Sequence, residues 1–107
     1  MAPTRDSSLT VIESIQRDPE LAKVILDGAV GLFIDSEPDI ARLQLRDLVK
    51  GTMGFEELAH RINIPSKSLH RMLSLRGNPS MDNISAIFTA LYKHTNKKRP
   101  ARAVKAA

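Results

Sequence analysis

Residues 64–73, IPSKSLHRML, bring Ser66, Lys67, Ser68, His70 and Arg71 onto one short segment that contains no acidic residue. On an ordinary solvated helix, carboxylates at i,i+4 spacing would pair with such cations. Without them, hydroxyl, imidazole, ammonium and guanidinium donors face outward together. Their natural counterpart is an anion: a phosphate, or the acceptor-rich edge of a base. Ser74, Arg76, Asn78 and Ser80 follow at once in SLRGNPS. Asn78 and Ser80 stand just before a helix start, a place suited to holding phosphate, and Arg76 adds charge there. A merely solvated basic face would use the same residue types, so position has to decide.

Other chemistries find no comparable grouping. The chain has no Cys, which removes disulfides, thiolate metal sites and Cys nucleophiles. His60, His70 and His94 make no i,i+4 pair and no HExxH, so no metal site is expected. Glu56 and Glu57 open a helix, where they favour its dipole and need no catalytic role. No Ser stands in a GxSxG setting. The sequence reads as non-enzymatic and cofactor-free. An aromatic content of 4% also argues against stacking platforms for single strands or RNA.

The elements that position these residues read as helices. With 107 residues, 42% of them hydrophobic, the chain suits one domain. Ser7 or Ser8 can cap a first helix running to about Arg17. Asp18, Pro19 and Glu20 open a second, which continues to about Ile34. SEPD at 36–39 repeats that device and leads into IARLQLRDLVK, and GTMG then breaks the pattern. Residues 21–34 are apolar on more than one face, as in a helix central to the core or shared with another chain. Gly28 and Gly31 lie on neighbouring turns of it, where another backbone could approach closely. No segment alternates as a strand does. The expected fold is all-α, a compact bundle of about six short helices.

Residues 55–74, FEELAHRINIPSKSLHRMLS, meet the size pattern of two short helices crossing steeply. Leu58 and Ile62 point inward from the first, and the small Ala59 lies where the second crosses. Asn63 tolerates the left-handed backbone of the turn. Ile64 plugs the turn, while Leu69 and Met72 anchor the second helix. Ser66, Lys67, His70 and Arg71 then occupy its exposed front, with Ser74 one turn on. The stretch, with the downstream RGNPSMDNI, resembles the Cro/λ-repressor type of helix-turn-helix. The resemblance implies a recognition helix laid in the major groove. Lys67 and Arg71 would pair there with guanine O6/N7 or with phosphate, each specifying contact being worth about 1–3 kcal/mol. Ser66, Ser68 and His70 would donate to bases or phosphates. Phe55 stands where that family often has a phosphate-holding Gln, and Pro65 where it often has Ser. Pro65 is expected to open the second helix rather than cap it by a side chain.

Over most of residues 4–92 the chain is similar to the addiction-module antidote proteins, HigA-like antitoxins of type II toxin–antitoxin pairs. The matching segments include RDPELAKVILDGAV, DIARLQLRDLVKGTMGFEELA, PSKSLHRMLS and GNPS. This implies a homodimer that binds double-stranded operator DNA, represses its own operon and neutralises a RelE/ParE-like toxin. A stand-alone regulator would show the same pattern. Charge fits the two-sided role: residues 1–50 hold six Lys/Arg against nine Asp/Glu, and residues 51–107 hold ten against three. An acidic front would steer a basic toxin, and a basic back would face a polyanion. The expected organisation is one helical DNA-binding domain over residues 1–93, with acidic helices over 1–50 and the helix-turn-helix region over 51–93. Residues 94–107 would be a basic, disordered tail, adding phosphate contacts or only solubility. The 21–34 and 81–92 helices are both candidates for the dimer surface. No apolar run spans a bilayer and no secretory leader opens the chain, so the expected compartment is the cytoplasm, away from membranes.

Overall fold

Capping chemistry sets several of the helix boundaries. The computed structural model describes residues 5–95, with side chains from residue 9 onward. Along them run α1 (Arg5–Arg17), α2 (Pro19–Ile34), α3 (Pro38–Gly51), α4 (Phe55–Ile62), α5 (Ser66–Met72) and α6 (Met81–Thr95), with no strand among the described residues. α2 starts as its sequence dictates: Asp18 Oδ1 accepts from the Glu20 N–H at 3.0 Å, and Pro19 takes the first helical position.

Three boundaries differ from expectation. α2 ends in a Schellman-type turn, in which the Glu37 N–H donates to the Leu32 carbonyl at 2.8 Å around Ser36 at φ 64°. Ser36 is thereby committed to closing α2, and SEPD does not repeat the Asp18 device. Pro38 opens α3 behind Glu37, which makes no side-chain cap. α1 already starts at Arg5, so Ser7 and Ser8 lie inside it. α6 continues through His94 to Thr95, whose Oγ1 donates to the Leu91 carbonyl at 3.1 Å. The tail expected from residue 94 thus loses its first two positions to a helix, and residues 96–107 lie outside the described residues.

One apolar cluster draws on all six helices, with Ile15, Leu26, Leu45, Leu48, Leu58, Leu69, Ile87 and Leu91 all buried. α2 and α3 pack as a helical hairpin, α1 lies against α3, and α6 closes against α2 and α4. Phe33 meets Phe88 edge-on at 5.8 Å, and the Tyr92 hydroxyl donates to Asp27 Oδ1 at 2.5 Å, so α2 and α6 are joined at two levels. A radius of gyration of 13.7 Å is close to the roughly 13 Å typical of a compact 100-residue chain. No helix among the described residues is long and apolar enough to cross a membrane.

α2 is a surface helix rather than a central one. Ala22, Leu26 and Ala29 are buried, whereas Val24 and Ile34 are 66% and 76% exposed. Its glycines are not points of close approach within the chain. A Cβ on Gly31 would meet nothing within 4 Å, and one on Gly28 only Gln44 Oε1 at 4.0 Å. The close crossing is elsewhere: a Cβ on Gly51 would lie 2.8 Å from Ile15 Cγ2 and 3.2 Å from the Ile12 carbonyl.

Burial raises the Asp47 carboxyl above its ordinary value of 3.8, against the opposing pull of Lys50 and Arg46. The folded chain therefore binds this proton more readily than the unfolded chain does. The associated stability is fully present below 3.8 and is lost as pH rises through the folded-state value. Asp47→Asn is expected to be more stable than the wild type at pH 7 and to lose that advantage at pH 3, read by thermal melts across pH. In urea denaturation, Gly51→Ala should cost about 1–3 kcal/mol through overpacking. Gly31→Ala should be neutral or stabilising by up to about 1 kcal/mol.

Candidate nucleic-acid interface

Asn63 makes the turn between α4 and α5. At φ 59°, ψ 45° it takes the left-handed conformation its short amide tolerates, and its N–H closes α4 on the Ala59 carbonyl. The Ile64 N–H donates to that same carbonyl at 3.2 Å. Pro65 then stands immediately before α5 and caps it without a side-chain bond. Leu58 and Leu69 are fully buried, and Ala59, Ile62, Ile64 and Met72 pack partly buried against the core. The inward register read from the sequence holds, with one addition: Leu73, just past the helix, is also fully buried.

With Leu69 and Leu73 inward, Lys67, His70 and Arg71 are exposed on the outer side of α5, and Ser66 and Ser68 are half-buried at its edges. Ser74 is half-buried too, and its Oγ donates to the Arg71 carbonyl at 2.7 Å, so its hydrogen is engaged within the chain. Arg76, Asn78 and Ser80 are exposed in the segment that leads to α6. Ser80 Oγ accepts from the Asn83 N–H at 3.1 Å and caps α6. Its oxygen is in use, while its hydrogen can still be offered outward. Lys67, His70 and Arg71 thus share one surface, and Arg76 and Asn78 flank its C-terminal end.

The charge balance of this surface is one-sided. Among the described residues the ion pairs are Lys23–Glu20 at 3.4 Å and Arg61–Glu57 at 2.8 Å. Arg61 is therefore neutralised on α4, and its hydrogen bond holds the Glu57 carboxyl below its ordinary range. Lys67, Arg71 and Arg76 have no such partner. No group of His, Cys, Asp or Glu suited to holding a metal ion occurs among the described residues.

Three supports of α5 were not foreseen in the sequence. Phe55, 7% exposed, stacks on His70 with ring centroids 3.8 Å apart and planes 18° from parallel. One imidazole face is thereby covered and the ring edge is left to the outside. Arg42 reaches across from α3: its Nε donates to the Ser74 carbonyl at 3.0 Å and its Nη2 to the Leu75 carbonyl at 2.6 Å. Gly77 folds back beneath the end of α5, where a Cβ would lie 2.2 Å from the Met72 carbonyl oxygen and 2.6 Å from that of Arg71. Only the glycine in RGNPS offered a local signal. Arg42 lies 32 residues from its acceptor, beyond the reach of any short pattern.

Arg42→Met should cost about 1.5–3 kcal/mol, the range for a hydrogen bond made by a charged donor. Hydrogen exchange should then rise over residues 66–77 while α2 keeps its protection. Gly77→Ala should produce the same local loosening, because backbone oxygens cannot swing aside as a side chain can.

Comparison of the chain with models of protein families, with curated proteins and with solved structures gave no match.

Proposed function

We propose that this protein is a sequence-specific repressor that binds double-stranded DNA through a λ-repressor-like helix-turn-helix, with α5 as the recognition helix. The observation that carries the reading is the mounting of α5. Leu69 and Leu73 are fully buried and its C-terminal turn is tethered, yet it presents Lys67, His70 and Arg71 with no anion to meet them. Arg71 and Lys67 would address guanine edges or phosphates, and His70 would offer the edge of a ring already stacked from behind. Ser66 and Ser68 border the same surface, and Arg76, Asn78 and Ser80 would contact the flanking backbone. Ser74 serves this reading less directly, since its hydroxyl closes the helix. A homodimer would read two half-sites.

The resemblance to HigA-like antitoxins extends the reading to a cytoplasmic, autoregulating antitoxin with a RelE/ParE-like toxin as partner. The acidic charge of residues 1–50 supports it. A stand-alone regulator would use α5 in the same way. A protein-interaction module without DNA binding is favoured by one observation, the exposed Val24 and Ile34 on α2.

Binding to the protein's own promoter fragment, titrated across salt, separates these readings. Repressor function predicts log affinity falling linearly with log salt, by about 0.9 per phosphate neutralised. Arg71→Ala should fold normally by circular dichroism and lose about 1–3 kcal/mol of discrimination at one base step. Full operator discrimination by that variant would remove α5 from the reading role.

A further inference from the structure

We infer that the outer face of α2, with the start of α3, docks a basic, apolar-anchored polypeptide segment of a partner protein. The inference deepens the partner side of the proposed function and is independent of the DNA side.

Composition and exposure coincide here. Residues 24–41 contain Asp27, Asp35, Glu37 and Asp39 and no Lys or Arg, and all four carboxylates are exposed. The same stretch supplies Val24, Ile34 and Ile40, with Ile40 42% exposed. Large apolar side chains are thus left open beside four carboxylates, with cations only at the borders, at Lys23 and Arg42 and next to Asp47 at Arg46 and Lys50.

Helical spacing arranges them. Val24, Gly28, Gly31 and Ile34 follow one another along the outer side of α2, opposite the buried Ala22, Leu26 and Ala29. Open space above Gly31 leaves a low floor beside the raised Ile34, and Gln44 reaches over to Gly28. On α3, Ile40, Gln44 and Asp47 recur at i, i+4 and i+7, along the edge turned toward α2, because Gln44 Oε1 reaches to Gly28. The Gln44 oxygen is buried without a donor, and the half-buried Asp47 carboxylate has no ion pair or hydrogen bond among the described residues. The face therefore sets apolar anchors beside a half-buried carboxylate without a donor, while the Gln44 oxygen itself lies out of a partner's reach.

The occupant follows from charge. DNA is repelled by the four carboxylates. A second copy meeting the first through this face would set like charges against like. A segment with Lys or Arg beside apolar side chains satisfies both sets of groups, its cations answering the rim and Asp47 while its apolar residues cover Val24, Ile34 and Ile40.

The test uses the full chain, isotopically labelled, and two short amphipathic helical peptides with the same Leu pattern, one otherwise Lys and one otherwise Glu. The Leu/Lys peptide should shift amide resonances within residues 24–47, and the Leu/Glu peptide should not. Ile34→Ser/Ile40→Ser and Asp35→Lys/Asp39→Lys should each weaken Leu/Lys binding by about tenfold or more. Neither should alter affinity for promoter DNA. Arg71→Ala should leave peptide binding unchanged, so failure of the DNA reading and failure of this one are separately visible. Equal binding of both peptides, or shifts outside residues 24–47, would overturn the proposal. So would a dimer that Ile34→Ser/Ile40→Ser dissociates, since the occupant would then be a second copy. A tenfold gain in peptide affinity on removing residues 96–107 would also overturn it, by assigning the surface to the chain's own basic tail.

Discussion

A helix of seven residues cannot hold its own shape in water, because so few hydrogen bonds do not offset the cost of nucleation. α5 exists because the rest of the molecule holds it. Leu69 and Leu73 are driven into the core, Asn63 sets its entry, and Gly77 and Arg42 fasten the turn by which it leaves. Lys67 and Arg71 are then arranged without being needed to hold the helix, and His70 alone of the outer residues stacks on the core. Lys67, His70 and Arg71 face solvent from a rigid mount, and that combination suits reading a polyanion.

Arg42 ties the two halves of the charge distribution together. It belongs to the acidic first half of the sequence, yet its guanidinium serves the carbonyls at the end of α5. A cation near a helix C-terminus is favoured by the dipole as well as by the hydrogen bonds. The first half therefore acts as the platform for the second. It also keeps Asp27, Asp35, Glu37 and Asp39 outward, on a side of the molecule where apolar residues are left open. The proposed functions occupy surfaces of opposite charge on one core.

Local chemistry made part of this legible from sequence. Asp18–Pro19 and Asn63 are features whose preferences fix a backbone within a few residues, and the structure has both where the sequence placed them. The inward register of α4 and α5 was readable because burial follows helical period. Features that depend on partners distant in sequence were not. Arg42 on Ser74, and His70 stacked on Phe55, need the tertiary crossing to be known first. Gly28 and Gly31 show the same limit: spacing put them on one face but could not say that the face looks outward, where no backbone of this chain approaches. Ser36 was misread because one residue cannot both close α2 in a left-handed conformation and cap α3.

In the proposed function α5 reads DNA. Selecting bound duplexes from a random-sequence pool, then mapping amide shifts of the full chain on the enriched duplex, tests it most directly. An enriched motif is expected, with shifts concentrated at residues 66–71 and 76–80. A pool that enriches no motif, or shifts confined to α2, would contradict it.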